Sequence, residues 1–262
     1  MKKILIIIVI LILIALGVYF ITKDTSETVD MTETITTEEP QVTEPTQEET
    51  DDTKTVIGTS VENRDITAYH YGEGNTELLF VGGIHGGYEW NTSLVAYELM
   101  DYLEENPTVI PENVQVTVVP VLNPDGLYEV VGTTEKFSKT DVPSSQDATI
   151  PGRFNGNGVD LNRNFDCDWE STGVWQNAEV DGGTSAFSEP ESKAIQNYIN
   201  THNPEAVVVW YSAANGVFAS SCHNGVLTET TTLTNLYAEA SGYPAYEEFN
   251  FYEITGDMVN WL

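Results

Sequence analysis

The stretch Gly82-Gly83-Ile84-His85-Gly86-Gly87-Tyr88-Glu89 sets an imidazole and a carboxylate four residues apart in a glycine-rich turn. Imidazole nitrogen and carboxylate oxygen are ligands that zinc favours, and a catalytic zinc takes three protein ligands plus a water. The same two residues also suit a blander arrangement, a His in a tight turn and a Glu capping the next helix. Apolar Leu78-Leu79-Phe80-Val81 precedes the turn, and a helix-like segment over 91–105 follows it. The spacing therefore predicts a turn at the carboxyl end of a strand, where open α/β sheets carry their chemistry.

Something must position that turn. Short runs rich in Val, Ile, Tyr and Phe, bounded by Gly, Pro or Asn, predict strands at 56–61, 65–71, 77–82, 114–121 and 205–211. The runs 114–119 and 206–210 read as central, buried strands, being almost continuously apolar. Helices are expected at 91–105, 189–201 and 229–241. Ser188-Glu189-Pro190-Glu191 reads as a capping box with Pro in the first turn. This alternation predicts an α/β fold, a mixed and mostly buried central sheet flanked by helices. Residues 122–188 read as mostly loop, and a long ordered loop in a compact domain is usually functional. It holds Asn123-Pro124-Asp125-Gly126, then Arg153, then Gly158-Val159-Asp160-Leu161-Asn162-Arg163-Asn164-Phe165.

In that order, the His85–Glu89 turn, the Asn-Pro-Asp-Gly tetrapeptide and the Val159–Phe165 run resemble the zinc metallocarboxypeptidase family, the carboxypeptidase A-like peptidases. The resemblance extends over residues 56–262. It implies that His85 and Glu89 are the first two ligands of zinc (Zn2+), although the family's usual spacing is one residue shorter. It implies that Asn162 and Arg163 hold the terminal carboxylate of a peptide. A guanidinium suits that task because it meets a carboxylate with two parallel charge-assisted bonds. Arg153 resembles the Arg that polarises the scissile carbonyl and stabilises the oxyanion. Tyr252, nine residues before Trp261, matches the Tyr that closes over substrate.

Two departures qualify this. The family's third zinc ligand is a His after a buried strand, and Tyr211 occupies that position; a phenol is an uncommon zinc ligand. His223 is a weak substitute, and His70 and His202 are weaker. The family's general-base Glu follows the Trp by about a dozen residues, whereas this sequence ends at Leu262. The domain over 56–262 thus reads as truncated at its carboxyl end. The expected function is zinc-dependent removal of C-terminal residues from peptides, cell-wall peptides among the candidates. The alternative is a catalytically dead module that binds peptides through their free C-terminal carboxylate.

The formal charge of -31 excludes nucleic acid as a partner, since phosphate binding needs clustered Lys and Arg. Residues 4–22 are almost wholly apolar, follow Lys2 and Lys3, and are long enough to span a bilayer. Residues 1–22 are expected to be a transmembrane anchor or a signal peptide. By the positive-inside rule the rest is extracytoplasmic, or secreted if residues 1–22 are cleaved. Residues 23–55 hold 11 acidic residues against two lysines, with many threonines, and read as a disordered linker. In an exported chain, Cys167 and Cys222 fit a disulfide, two free thiols being the other possibility.

Overall fold

A computed structural model describes residues 53–220, 222 and 225–262 of the chain. The expected anchor at 4–22, nearly all of the expected linker at 23–55, and His223 lie outside the described residues. Among the described residues, no helix is long and apolar enough to cross a membrane.

Five strands form one sheet: β1 (Lys54–Thr59), β2 (Asp65–Tyr71), β3 (Thr76–Val81), β4 (Val114–Val119) and β7 (Ala206–Val209). Their order is β1-β2-β4-β3-β7. β1, β2 and β4 are antiparallel neighbours, whereas β3 runs parallel to both β4 and β7. Period-two alternation divides β3 between the two faces of this mixed sheet. Leu78 and Phe80 pack with Val116 and Val118 against Ala96, Met100 and Leu103 of helix α1 (Trp90–Glu105). Leu79 and Val81 pack with Ile66 and Ala68 against Ala194 and Ile195 of helix α3 (Pro190–His202). Leu103 is 1% exposed. Its truncation to Ala is expected to cost about 2–5 kcal/mol, as for other fully buried leucines.

Three expectations are corrected. First, among the described residues β7 has one strand neighbour, β3, and all four of its residues are only half-buried. A continuous apolar run does not distinguish a central strand from an edge one. Second, the capping box at Ser188 does not form. Helix α3 is capped at Glu189 with Pro190 at its first position. The Glu191 carboxylate instead accepts from the Val61 N–H at 3.1 Å and from Asn155 Nδ2 at 3.0 Å, tying the helix to two distant segments. Third, the long loop contains regular structure. Helix α2 (Pro124–Val131) starts at Asn123, whose side chain accepts from Gly126 N, and ends at Gly132 in the left-handed region. A hairpin of β5 (Thr172–Trp175) and β6 (Ala178–Asp181) follows.

Farther along, the short strands β8 (Val217–Phe218) and β9 (Ala245–Tyr246) pair in parallel around helix α4 (Thr228–Ser241), and a single turn, α5 (Met258–Trp261), follows. Cys167 and Cys222 are bridged, with Cα atoms 5.9 Å apart. The bridge fastens the segment after β7 to the end of the Val159–Phe165 run.

Candidate functional site

β4, β3 and β7 lie side by side and parallel, with Val119, Val81 and Val209 in register. Their carboxyl ends therefore open onto one crevice. The turn after β3 and the segment after β7 line a cavity of about 1470 Å³, which Arg153, Asn162 and Trp175 also border.

The turn after β3 depends on glycine. Gly86 has φ +41°, and a Cβ there would lie 2.7 Å from backbone atoms of Gly126 and Gly152. This close approach brings the long loop against the turn. His85 and Glu89 are 3% and 7% exposed. His85 Nδ1 lies 3.1 Å from Glu89 Oε2, and His85 Nε2 lies 3.3 Å from Asp160 Oδ1. None of His85 Nδ1, His85 Nε2 and Glu89 Oε2 meets hydrogen-bond geometry with any partner, although all three are buried. Buried polar atoms without partners cost about 1–3 kcal/mol each. Glu89 precedes helix α1 but makes no side-chain cap bond; Thr92 Oγ1 donates to the Glu89 carbonyl instead. The blander arrangement for this pair is thus not what the chain adopts. Two ligands of a tetrahedral zinc stand roughly 3.4 Å apart, given ligand bonds of about 2.0–2.1 Å. The separation of Nδ1 and Oε2 is close to that, despite the extra residue between them.

The fit to zinc is incomplete. Among the described residues, no third His, Cys, Asp or Glu ligand atom converges with these two. Tyr211 stands beside His85, ring centroids 5.9 Å apart. Its hydroxyl donates to Asn162 Oδ1 at 3.0 Å. Burial, then the nearby carboxylates of Asp257 and Glu89, push the phenol well above its ordinary value. Tyr211 is therefore a neutral hydroxyl and not an anionic ligand. Among the described residues, two ligands come together where a catalytic zinc takes three.

Arg153 is 2% exposed and reaches Asp160 Oδ2 with Nε and a terminal nitrogen, both at 2.8 Å. The guanidinium also stacks over Trp175 at 4.4 Å from the ring centroid and lies 5.6 Å from that of Tyr88. Asp160 is fully buried between His85 and Arg153. Burial pushes its carboxyl up, but Arg153, His85 and Arg163 together outweigh burial and hold it well below the usual carboxylate range. Sequence reasoning passes over Asp160, Tyr88 and Trp175. The signal for Asp160 was present: an acid between Val159 and Leu161 in an otherwise specific run is not a surface residue.

Asn162 borders the cavity, and its Oδ1 also accepts from the Met258 N–H at 3.0 Å. Arg163 sits behind this wall. It is 1% exposed, and its guanidinium donates to the carbonyls of Val174 and Asn162. Gly173 leaves room for it, since a Cβ there would come within 2.6 Å of Arg163 Cδ. Tyr252 lines the cavity and packs edge-on against Phe249, centroids 5.0 Å apart. His70 and His202 are elsewhere. His70 lies between Thr117 and Thr55 on the sheet, and His202 lies near Glu77 at the opposite end of β3.

Comparisons with known proteins agree with this geometry. The zinc carboxypeptidase (peptidase M14) family profile matches residues 41–261. The chain is 31% identical over 149 residues to carboxypeptidase B of Helicoverpa zea, covering 52% of this chain and 32% of that protein. It is 28% identical over 234 residues to metallocarboxypeptidase A of Arthroderma otae, covering 78% and 53%. Matched stretches thus span between about a third and about half of these relatives. The crystal structure of carboxypeptidase A from Helicoverpa armigera superposes with a TM-score of 0.59 at 22% identity, over 80% of this chain and 56% of that one. With the fold, the orphaned His85–Glu89 pair and a profile that covers most of its length in agreement, the chain belongs to the zinc carboxypeptidase family.

Proposed function

We propose that this chain acts on peptides with a free C-terminal carboxylate, as a zinc-dependent carboxypeptidase that removes their terminal residues. The observation that carries this reading is the buried pair His85 Nδ1 and Glu89 Oε2, 3.1 Å apart and without hydrogen bonds. These two residues would hold zinc, which when bound polarises a carbonyl and lowers the pKa of a water. The chain's own groups do the rest. Asn162 meets the substrate carboxylate, with Arg163 behind it as positive charge. Arg153, held by Asp160, is a preorganised donor for a developing oxyanion. Tyr252 covers the bound terminus.

In this proposal residues 1–22 anchor the chain in a membrane or are removed on export, residues 23–55 form a linker, and the domain at 56–262 faces outward. Cell-wall peptides are then accessible substrates. Bridged cysteines support an oxidising compartment.

A second reading has its own support. Tyr211 is hydrogen-bonded to Asn162 where a third metal ligand is expected, which favours a module that binds carboxyl termini without hydrolysing them. One experiment separates the two. The purified chain is dialysed against zinc, its metal content is measured, and it is offered a peptide and the C-terminal amide of that peptide. Stoichiometric zinc with release of the terminal residue supports the hydrolase. Carboxylate-dependent binding without release supports the module. Binding of neither zinc nor peptide overturns both.

A further inference from the structure

We propose that the aromatic and acidic surface around β8 and β9 docks a cationic polypeptide segment, one that carries several lysines or arginines. This stands apart from the reading of the cavity as a site for peptide carboxyl termini.

Five rings form one continuous cluster there. Phe218 of β8 stacks on Tyr246 of β9, centroids 5.0 Å apart and ring planes 15° apart. Phe251 lies 6.0 Å from Phe218 and 4.9 Å from Phe249, and Phe249 meets Tyr252 at 5.0 Å. Packing leaves part of this cluster in solvent. Phe251 is 58% exposed and Tyr246 39% exposed, and Tyr243 on the same segment is 52% exposed. Large apolar side chains exposed singly need no explanation, but several gathered on one short segment mark an interaction surface.

Charge selects the partner. Glu247 and Glu248 follow Tyr246, Glu253 follows Tyr252, and all three glutamates are exposed. From residue 194 to residue 262 the sequence has no Lys or Arg. A cation is attracted to the face of a Tyr or Phe ring as well as to a carboxylate. Rings and carboxylates interleaved on one segment therefore favour a cationic partner, and the field of the glutamates repels an anionic one. One exposed cation–π contact contributes only about twofold to fivefold in affinity, and one exposed ion pair no more than that. A lone cation is held too weakly to matter, so the partner must carry several cations on one chain. Phe249, Phe251 and Tyr252 also border the cavity, so a chain seated in the cavity can continue over this surface. The cations read here would then lie outside the cavity, upstream of the terminal residue.

The probe is a peptide of about eight residues, half of them lysine, acetylated at its amino end and amidated at its carboxyl end. It offers no terminal carboxylate. Its control carries glutamine in place of each lysine. In calorimetric titration near neutral pH and about 0.05 M salt, the lysine peptide should bind at least about tenfold more tightly than the control. That preference should collapse at about 0.5 M salt, where exposed charges are screened. Phe251→Ala should weaken the lysine peptide about twofold to fivefold. Glu247→Gln with Glu248→Gln should weaken it about threefold to tenfold. Glu98→Gln with Glu105→Gln removes the same charge from exposed positions on helix α1 and should leave binding within about twofold of wild type. That comparison separates this surface from the net charge of the chain. The proposal is overturned if the two peptides bind alike, if the two double variants weaken binding equally, or if Phe251→Ala binds as wild type does. Failure of the carboxylate reading leaves these expectations in place, because the probe carries no carboxylate.

Discussion

β3 carries a His–Glu pair at each end, and the two pairs differ in every respect that matters for chemistry. At its amino end, Glu77 pairs with His202, Oε2 to Nδ1 at 3.7 Å. Glu77 also accepts from the Tyr198 hydroxyl at 2.5 Å, and His202 stacks on the Tyr198 ring at 4.1 Å. The His202 side chain is 44% exposed. At the carboxyl end, His85 and Glu89 are buried, closer together, and without a hydrogen bond on either His85 nitrogen or on Glu89 Oε2. The same residue types thus give a satisfied structural contact at one end and an unsatisfied one at the other. Residue identity does not separate them; hydrogen-bond accounting does. Behind His85 stands a fully buried Asp160 paired to Arg153, and the described structure gives His202 no such support.

The largest effect should come from that support. Asp160→Asn leaves the Arg153 charge buried without a counter-charge, and breaking a buried pair in this way costs about 3–5 kcal/mol. Chemical denaturation should show this loss at neutral pH. The pH dependence gives the sign. The folded carboxyl lies well below its unfolded value of about 3.9. Its contribution is therefore fully present above about pH 4 and fades as pH falls through the folded value. Wild type should lose stability on acidification below about pH 4 by this route, and Asp160→Asn should not. A neutral-pH loss under about 1 kcal/mol would remove the basis for ranking the two ends of β3.

Metal affinity should come next. His85→Ala and Glu89→Gln should each weaken zinc binding by more than about 100-fold, since outer-shell changes alone cost 10–100-fold. Competition with a zinc-sensing dye checks this. Tyr211→His should move the other way, strengthening zinc by roughly tenfold or more by supplying a third ligand, an imidazole nitrogen. That gain should shrink below about pH 6.5 as the new imidazole takes a proton in place of metal. If Tyr211→His leaves affinity unchanged, the site does not place residue 211 within reach of the metal.

Much of this site was legible in the sequence because its residues sit in short, rigid stretches. The turn at Gly82–Glu89 and the run at Val159–Phe165 are specified by local residue types, and the structure brings His85, Glu89, Arg153 and Asn162 to one cavity. What was not legible depends on contacts between distant segments. Arg163 reads as a cavity residue, yet Gly173 and the Val174 carbonyl, on a hairpin ten residues on, draw it behind the wall. β7 reads as central because its residues are apolar, but among the described residues the strand order gives it one neighbour. Ser188 and Glu191 fit a helix cap, yet Glu191 satisfies the Val61 N–H, 130 positions away in sequence. Helix α2 is a different case. Its start at Asn123-Pro124 and its stop at Gly132 were both readable, but the surrounding glycines and prolines hid them.

The smallest predicted effect tests the comparison most directly. His202→Ala removes a side chain that is nearly half exposed and stands 3.7 Å from its carboxylate partner. Exposed pairs contribute about 0.2–1 kcal/mol. Glu77 keeps its hydrogen bond from Tyr198 in the variant, so no buried acceptor is stranded. Stability should therefore fall by less than about 1 kcal/mol, and zinc affinity should not change. Tyr198→Phe provides the contrast at the same end: it removes the hydrogen bond to Oε1 of Glu77, which is buried, and should cost about 1–3 kcal/mol, again without touching zinc. A drop in zinc affinity on His202→Ala would mean that the amino end of β3 also binds metal, and the division between a structural and a chemical His–Glu pair would collapse.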